Sequence, residues 1–67
     1  MDISKSIRVG LAMKNVKQKW LANELGVSRA YISSLCNGSK IPGRAQIEEI
    51  ASAFNVKVSE FIMWGEQ

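Results

Sequence analysis

The stretch Gln18–Gly38, QKWLANELGVSRAYISSLCNG, decides how this chain folds. Over Gln18–Leu25 the residues Leu21, Ala22 and Leu25 share one helical face, at i, i+1, i+4 spacing. Gly26 suits a left-handed position just past a helix, where a β-carbon is penalised. Val27 is expected to plug the turn. Ser28 is a good N-cap, because its hydroxyl can accept a free backbone N–H of the next helix. That helix, Arg29–Cys36, buries Ile32 and Leu35 at i, i+3 and leaves Arg29, Ala30, Ser33 and Ser34 on the other face. Asn37-Gly38 ends it. The local reading is two short helices joined at a glycine, the second with a small, polar and basic outer face.

The rest of the 67 residues reads as helix too. A first helix spans about Ile3–Met13, with Ile7 and Leu11 one turn apart. Gly10 inside it costs roughly 1 kcal/mol relative to alanine and is expected to permit a close helix crossing. Asn15-Val16 turns the chain into the second helix. Ser39–Gly43 is a loop around Ile41-Pro42. A fourth helix, about Arg44–Phe54, carries Ile47, Ile50, Ala51 and Phe54 as an apolar stripe, and Asn55 suits its C′ position. A fifth, about Val58–Met63, brings Phe61 and Ile62 to close the core. No stretch alternates polar and apolar residues long enough for a sheet. The expectation is one all-α domain over residues 1–67, with no repeat or linker.

Composition narrows the chemistry. The net charge of +3 hides an asymmetry. From Lys5 to Arg44 eight cations (Lys5, Arg8, Lys14, Lys17, Lys19, Arg29, Lys40, Arg44) stand against Glu24 alone, a net +7. Beyond Arg44, Lys57 faces Glu48, Glu49, Glu60 and Glu66. A basic segment around the glycine-hinged helices favours a polyanion docking on one side; a solvated lysine surface is the plain alternative. No apolar run approaches the ~20 residues a membrane span needs, and MDISKSIRVG lacks the apolar core of a signal peptide. One cysteine makes no internal disulfide, and without histidine a Cys/His zinc site is excluded. These features suit a reducing, cytoplasmic setting, with no cofactor, metal or small-molecule ligand.

A helix, a short glycine turn and a second helix with a polar, basic outer face form the helix-turn-helix pattern of DNA-binding proteins. The chain resembles the lambda-repressor-like, Cro and repressor type of helix-turn-helix domain. The landmarks are Gln18, Leu21-Ala22, Leu25-Gly26-Val27-Ser28, Ile32-Ser33, Leu35, Asn37-Gly38, Pro42, Ile47, Ile50-Ala51 and the Val56–Phe61 ending, together covering roughly Ile7–Ile62. The resemblance implies a five-helix lambda-repressor-like fold that reads operator DNA in the major groove, usually as a symmetric dimer. Three positions depart from the family pattern: Lys17, Gly43 and Lys57 stand where a Ser or Thr commonly caps the second, fourth and fifth helices. Each lost cap costs on the order of 1 kcal/mol, less for glycine. A lysine also opposes the positive helix N-terminus, although Lys17 can gain a phosphate contact in exchange.

The resemblance also implies which residues meet DNA. Arg29, Ala30, Ser33 and Ser34 take base-reading positions. A guanidinium at Arg29 can bind guanine O6 and N7 together, worth ~1–3 kcal/mol of discrimination, or reach a phosphate instead. Ala30 offers only a methyl group to thymine, and Ser34 a short hydroxyl that fits many base edges. Gln18 takes a phosphate-contacting place, and Lys17, Asn37, Lys40 and Arg44 suit the phosphate strand. Tyr31 either lays its hydroxyl on phosphate or packs on the second helix.

Other residues read less sharply. Cys36 is expected to be small packing at a helix end rather than a redox switch. Trp20 either covers the gap over Gly10 or serves a protein partner. Val56, Val58, Met63 and Trp64 can form a self-complementary apolar patch at a dimer interface; burial of Trp64 against the first helix is the rival reading.

These readings converge on a sequence-specific transcriptional regulator that binds double-stranded operator DNA as a homodimer. The chain's length favours a phage Cro-like repressor that occludes polymerase. A restriction–modification controller or an autorepressing antitoxin fits as well. A protein-interaction module without specific DNA binding is the rival from another class. An enzyme is not expected, since no histidine, phosphate-cradling loop or carboxylate constellation is present.

Overall fold

The computed structural model describes residues 2–66; Met1 and Gln67, the ends of the expected domain, lie outside them. Five helices follow in order: α1 (Ile3–Lys14), α2 (Gln18–Leu25), α3 (Arg29–Cys36), α4 (Arg44–Ala53) and α5 (Val58–Trp64). The described residues contain no strand. α2 and α3 have the bounds read from sequence. α1 and α5 each run one residue further than expected, and α4 ends one residue earlier.

The helix ends explain these bounds. Asp2 caps α1, accepting the Lys5 N–H at 3.0 Å and the Ser4 hydroxyl at 2.8 Å. These two bonds hold its carboxyl below the usual range, because both favour the charged form. Ser28 caps α3 by accepting the Tyr31 N–H at 3.1 Å. Lys17, Gly43 and Lys57 occupy the N-cap positions of α2, α4 and α5 and give no side-chain cap bond. After α1, α2, α3 and α4 the chain turns through left-handed residues. Gly26 has φ +69° and Gly38 φ +83°, while Asn15 and Asn55 hold φ 56° and 60°. Asparagine tolerates this region better than other side chains, which suits it to these turns.

α1 packs on α3 and α5, α2 packs on α3 and α4, and α4 packs on α5. Ile7, Leu21, Ile32, Leu35, Ile50 and Phe61 are fully enclosed where these faces meet. Around Phe54 an aromatic cluster forms. Trp20 stacks on it at 5.8 Å, and Trp64 meets it edge-on at 5.8 Å. Phe61 lies 6.3 Å from Phe54 and edge-on to Trp64 at 5.9 Å. Such pairs contribute roughly 0.5–1.5 kcal/mol beyond area burial, which helps a chain too short to build a large core.

Two expectations change here. Trp64 is 5% exposed and belongs to the core, so it offers no surface to an apolar patch. α5 extends far enough to swing the indole back over α1 at Gly10, the intrachain alternative. Ile62 packs against the core beside Phe61 without being enclosed; it is half-buried at the α4–α5 edge. Trp20 is half-buried and its ring is engaged with Phe54, while Gly10 is covered by Phe54 and Trp64.

Candidate nucleic-acid interface

The turn between α2 and α3 sets the angle between them. Gly26 N–H returns to the carbonyls of Ala22 and Asn23, and Val27 N–H to Ala22 at 3.0 Å. Val27 is half-buried against the core, so it pins the turn from inside without being fully enclosed. Ile32 and Leu35, both fully buried, then fix which face of α3 turns outward.

That outward face begins with Arg29 and Ala30, both exposed in the first turn. Ser33 and Ser34 are half-buried. The Ser34 hydroxyl donates to the Ala30 carbonyl at 3.1 Å, so its proton is occupied and its oxygen is left to accept. Lys17, Gln18 and Lys19 at the start of α2 share one concave surface with Arg29, over Leu11 and Val16. Residues from the starts of both helices thus converge on one basic hollow.

The segment after α3 folds back onto it. Ser39 N–H donates to Asn37 Oδ1 at 2.9 Å, while Lys40 N–H and the Ser39 hydroxyl donate to the Ser34 carbonyl at 3.2 and 3.3 Å. These bonds satisfy orphan groups at the helix end and hold the loop in one shape. The Lys40 ammonium stands 5.6 Å from the centre of the Tyr31 ring, within cation–π range.

Tyr31 has a partner that neither of its expected roles named. Its hydroxyl donates to Gln46 Oε1 on α4, and its half-buried ring packs against the core. It is a strut between α3 and α4. Nothing in the sequence near Tyr31 or Gln46 announces this pairing, because 15 residues separate them.

Arg8 carries a second unannounced contact. Its Nη1 donates to the Cys36 carbonyl at 2.6 Å, across 28 positions of sequence. Read from charge alone it is one more cation of the basic segment. Cys36 is buried, and burial pushes its thiol up, with Arg8 opposing more weakly. This suits the packing role expected of it.

The remaining expected residues divide by position. Asn37 and Lys40 are exposed on the loop after α3. Arg44 lies at the start of α4, where with Ile47, Glu48, Val58 and Ile62 it lines a groove between α4 and α5. Val56 is half-buried against the core, and Met63 is 61% exposed on α5.

Among the described residues, five helices without a strand, with α2 and α3 hinged on a left-handed glycine and a basic hollow at their starts, define a helix-turn-helix protein of DNA-binding type. The chain belongs to the HTH_3 family of helix-turn-helix domains, the lambda-repressor and Cro-like type, whose family model matches residues 5–61. It is a DNA-binding transcription regulator, of a family that binds double-stranded DNA and is not enzymatic. No curated protein and no solved structure gives a significant match. Among the described residues no helix is long and apolar enough to cross a membrane, and no cluster of potential metal ligands occurs.

Proposed function

We propose that this chain is a sequence-specific repressor of the phage Cro kind, acting over its whole length as one DNA-binding unit. The observation that carries this reading is the convergence of Lys17, Gln18, Lys19 and Arg29 on one hollow at the front of α2 and α3. Arg29 and Ala30 stand at the exposed start of α3, where a recognition helix meets base edges. In this reading Arg29 reads guanine, Ala30 meets a thymine methyl, and Ser33 and Ser34 add weaker contacts. Gln18, Lys17, Asn37 and Lys40 hold the phosphate strands on either side, with Arg44 at the margin. Tyr31 serves through its shape, since its hydroxyl is taken by Gln46.

The protein acts as a homodimer. The α4–α5 groove is lined by the apolar Ile47, Val58 and Ile62 together with Arg44 and Glu48, opposite charges one turn apart on α4. A two-fold axis over such a groove sets apolar side chain on apolar side chain and brings each charge towards its opposite. Met63 and Val56 extend this surface. Two recognition helices about 34 Å apart then enter successive major grooves of a pseudo-palindrome, and the bound dimer excludes polymerase. A controller of a restriction–modification operon or an antitoxin that represses its own operon would use the same interface and differ in gene neighbourhood.

The test is selection of bound duplexes from a random pool at two salt concentrations. Recovery of a pseudo-palindrome supports specific, dimeric readout. Enrichment of no sequence, with binding lost at moderate salt, would sink the repressor reading and leave only electrostatic affinity.

A further inference from the structure

α3 has an anchored tail. Cys36 is its last residue, and the carbonyl there has no partner within the helix. Cys36 itself is 5% exposed, and its carbonyl sits at a part-buried position between α3 and α1. The group that meets this carbonyl is the Arg8 guanidinium, at 2.6 Å, from α1. A charged donor makes a stronger bond than a neutral one, and a cation at a helix C-terminus complements the helix dipole. The other bonds at this end are local: Asn37 N–H to Ser33 and Lys40 N–H to Ser34. The bond from Arg8 ties the tail to another helix.

We propose that Arg8 is a positioning residue for the recognition helix and not one of the cations that meet DNA. α3 has eight residues, about 12 Å of helix. Swinging its tail on the Ile32 and Leu35 pivots moves Arg29 at its head. By holding Cys36 against α1, Arg8 fixes the pitch at which Arg29 and Ala30 are presented. The effect on base reading rests on the function proposed above; the anchoring of α3 does not.

The experiment compares the full chain with Arg8→Gln and the milder Arg8→Lys, at a temperature where all three are folded. Amide exchange in the free protein is followed at Leu35, Cys36 and Asn37, with Ile50 of α4 as reference. Arg8→Gln is expected to speed exchange at the α3 tail about tenfold more than at Ile50, the scale of one charged hydrogen bond. Arg8→Lys should fall between. On random-sequence duplex the salt slope is expected to stay at the wild-type value, and preference for the selected operator to fall. A slope smaller by about 0.9 would make Arg8 a phosphate contact and overturn the proposal. So would equal acceleration at α3 and Ile50, the mark of general destabilisation. If the wild type selects no operator, the repressor reading fails by itself, and exchange and slope still decide the role of Arg8.

Discussion

The Trp64 indole lies directly over the α-carbon of Gly10. A β-carbon there would stand 2.8 Å from Trp64 Cζ3 and 2.9 Å from Phe54 Cε2. Neither ring has room to retreat, since Phe54 is 1% exposed, Trp64 5%, and each packs on the other. Gly10→Ala should therefore lose more than it gains. The gain in helix propensity is roughly 1 kcal/mol, and overpacking costs roughly 1–3 kcal/mol. With two rings to displace, a net loss near 1 kcal/mol or more is expected in urea unfolding. A variant as stable as the wild type would mean that the cluster yields easily.

Ser6 points the other way. It is fully buried, and its hydroxyl has no hydrogen-bond partner among the described residues. A buried hydroxyl left unsatisfied costs about 1–3 kcal/mol, and alanine is the better helix former. Ser6→Ala should raise stability by about 1 kcal/mol, a Tm shift of about 4–8 °C for a domain of this size. A fall in Tm would show that the hydroxyl has a partner.

Tyr31→Phe separates strut from phosphate contact. Loss of the bond to Gln46 should lower the stability of the free protein by about 0.5–1.5 kcal/mol. Unchanged stability with weaker DNA binding would return the hydroxyl to the phosphate strand.

Arg29 and Lys40 should fail differently. Arg29→Ala is expected to cost about 1–3 kcal/mol on the selected operator and less on random duplex. Lys40→Ala should weaken both alike and reduce the salt slope by about 0.9. Equal losses for Arg29→Ala on the two duplexes would reassign that guanidinium to phosphate.

The dimer groove is tested by sedimentation. Ile62→Lys puts a charge among its apolar residues, and Glu48→Lys leaves two cations facing Arg44 of either copy. Each should shift the protein towards monomer. The Glu48 variant touches no core residue, so it serves if Ile62→Lys also destabilises the fold. Self-association untouched by both would place the interface elsewhere.

The helices and the hinge are legible in the residues alone. Gly26, Ser28, Gly38 and Asn55 act through their own backbone geometry or through neighbours a few residues away, and local chemistry is readable one residue at a time. The missing caps at Lys17, Gly43 and Lys57 came from setting the sequence beside the family it resembles. Apolar spacing also named most of the core, because Ile7, Leu21, Ile32 and Ile50 stand on periodic faces. The contacts made across the chain emerge only once the helices are packed: Arg8 on Cys36, Tyr31 on Gln46, and Trp64 over Gly10. Each involves a side chain with two plausible places, one in solvent or on a partner and one inside. Which it takes depends on how two distant helices cross, and on whether their meeting leaves a carbonyl to satisfy or a hollow to fill. Composition carries no trace of that geometry, so charge alone counted Arg8 in the basic segment, and hydrophobicity alone left Trp64 open between a surface patch and burial against the first helix.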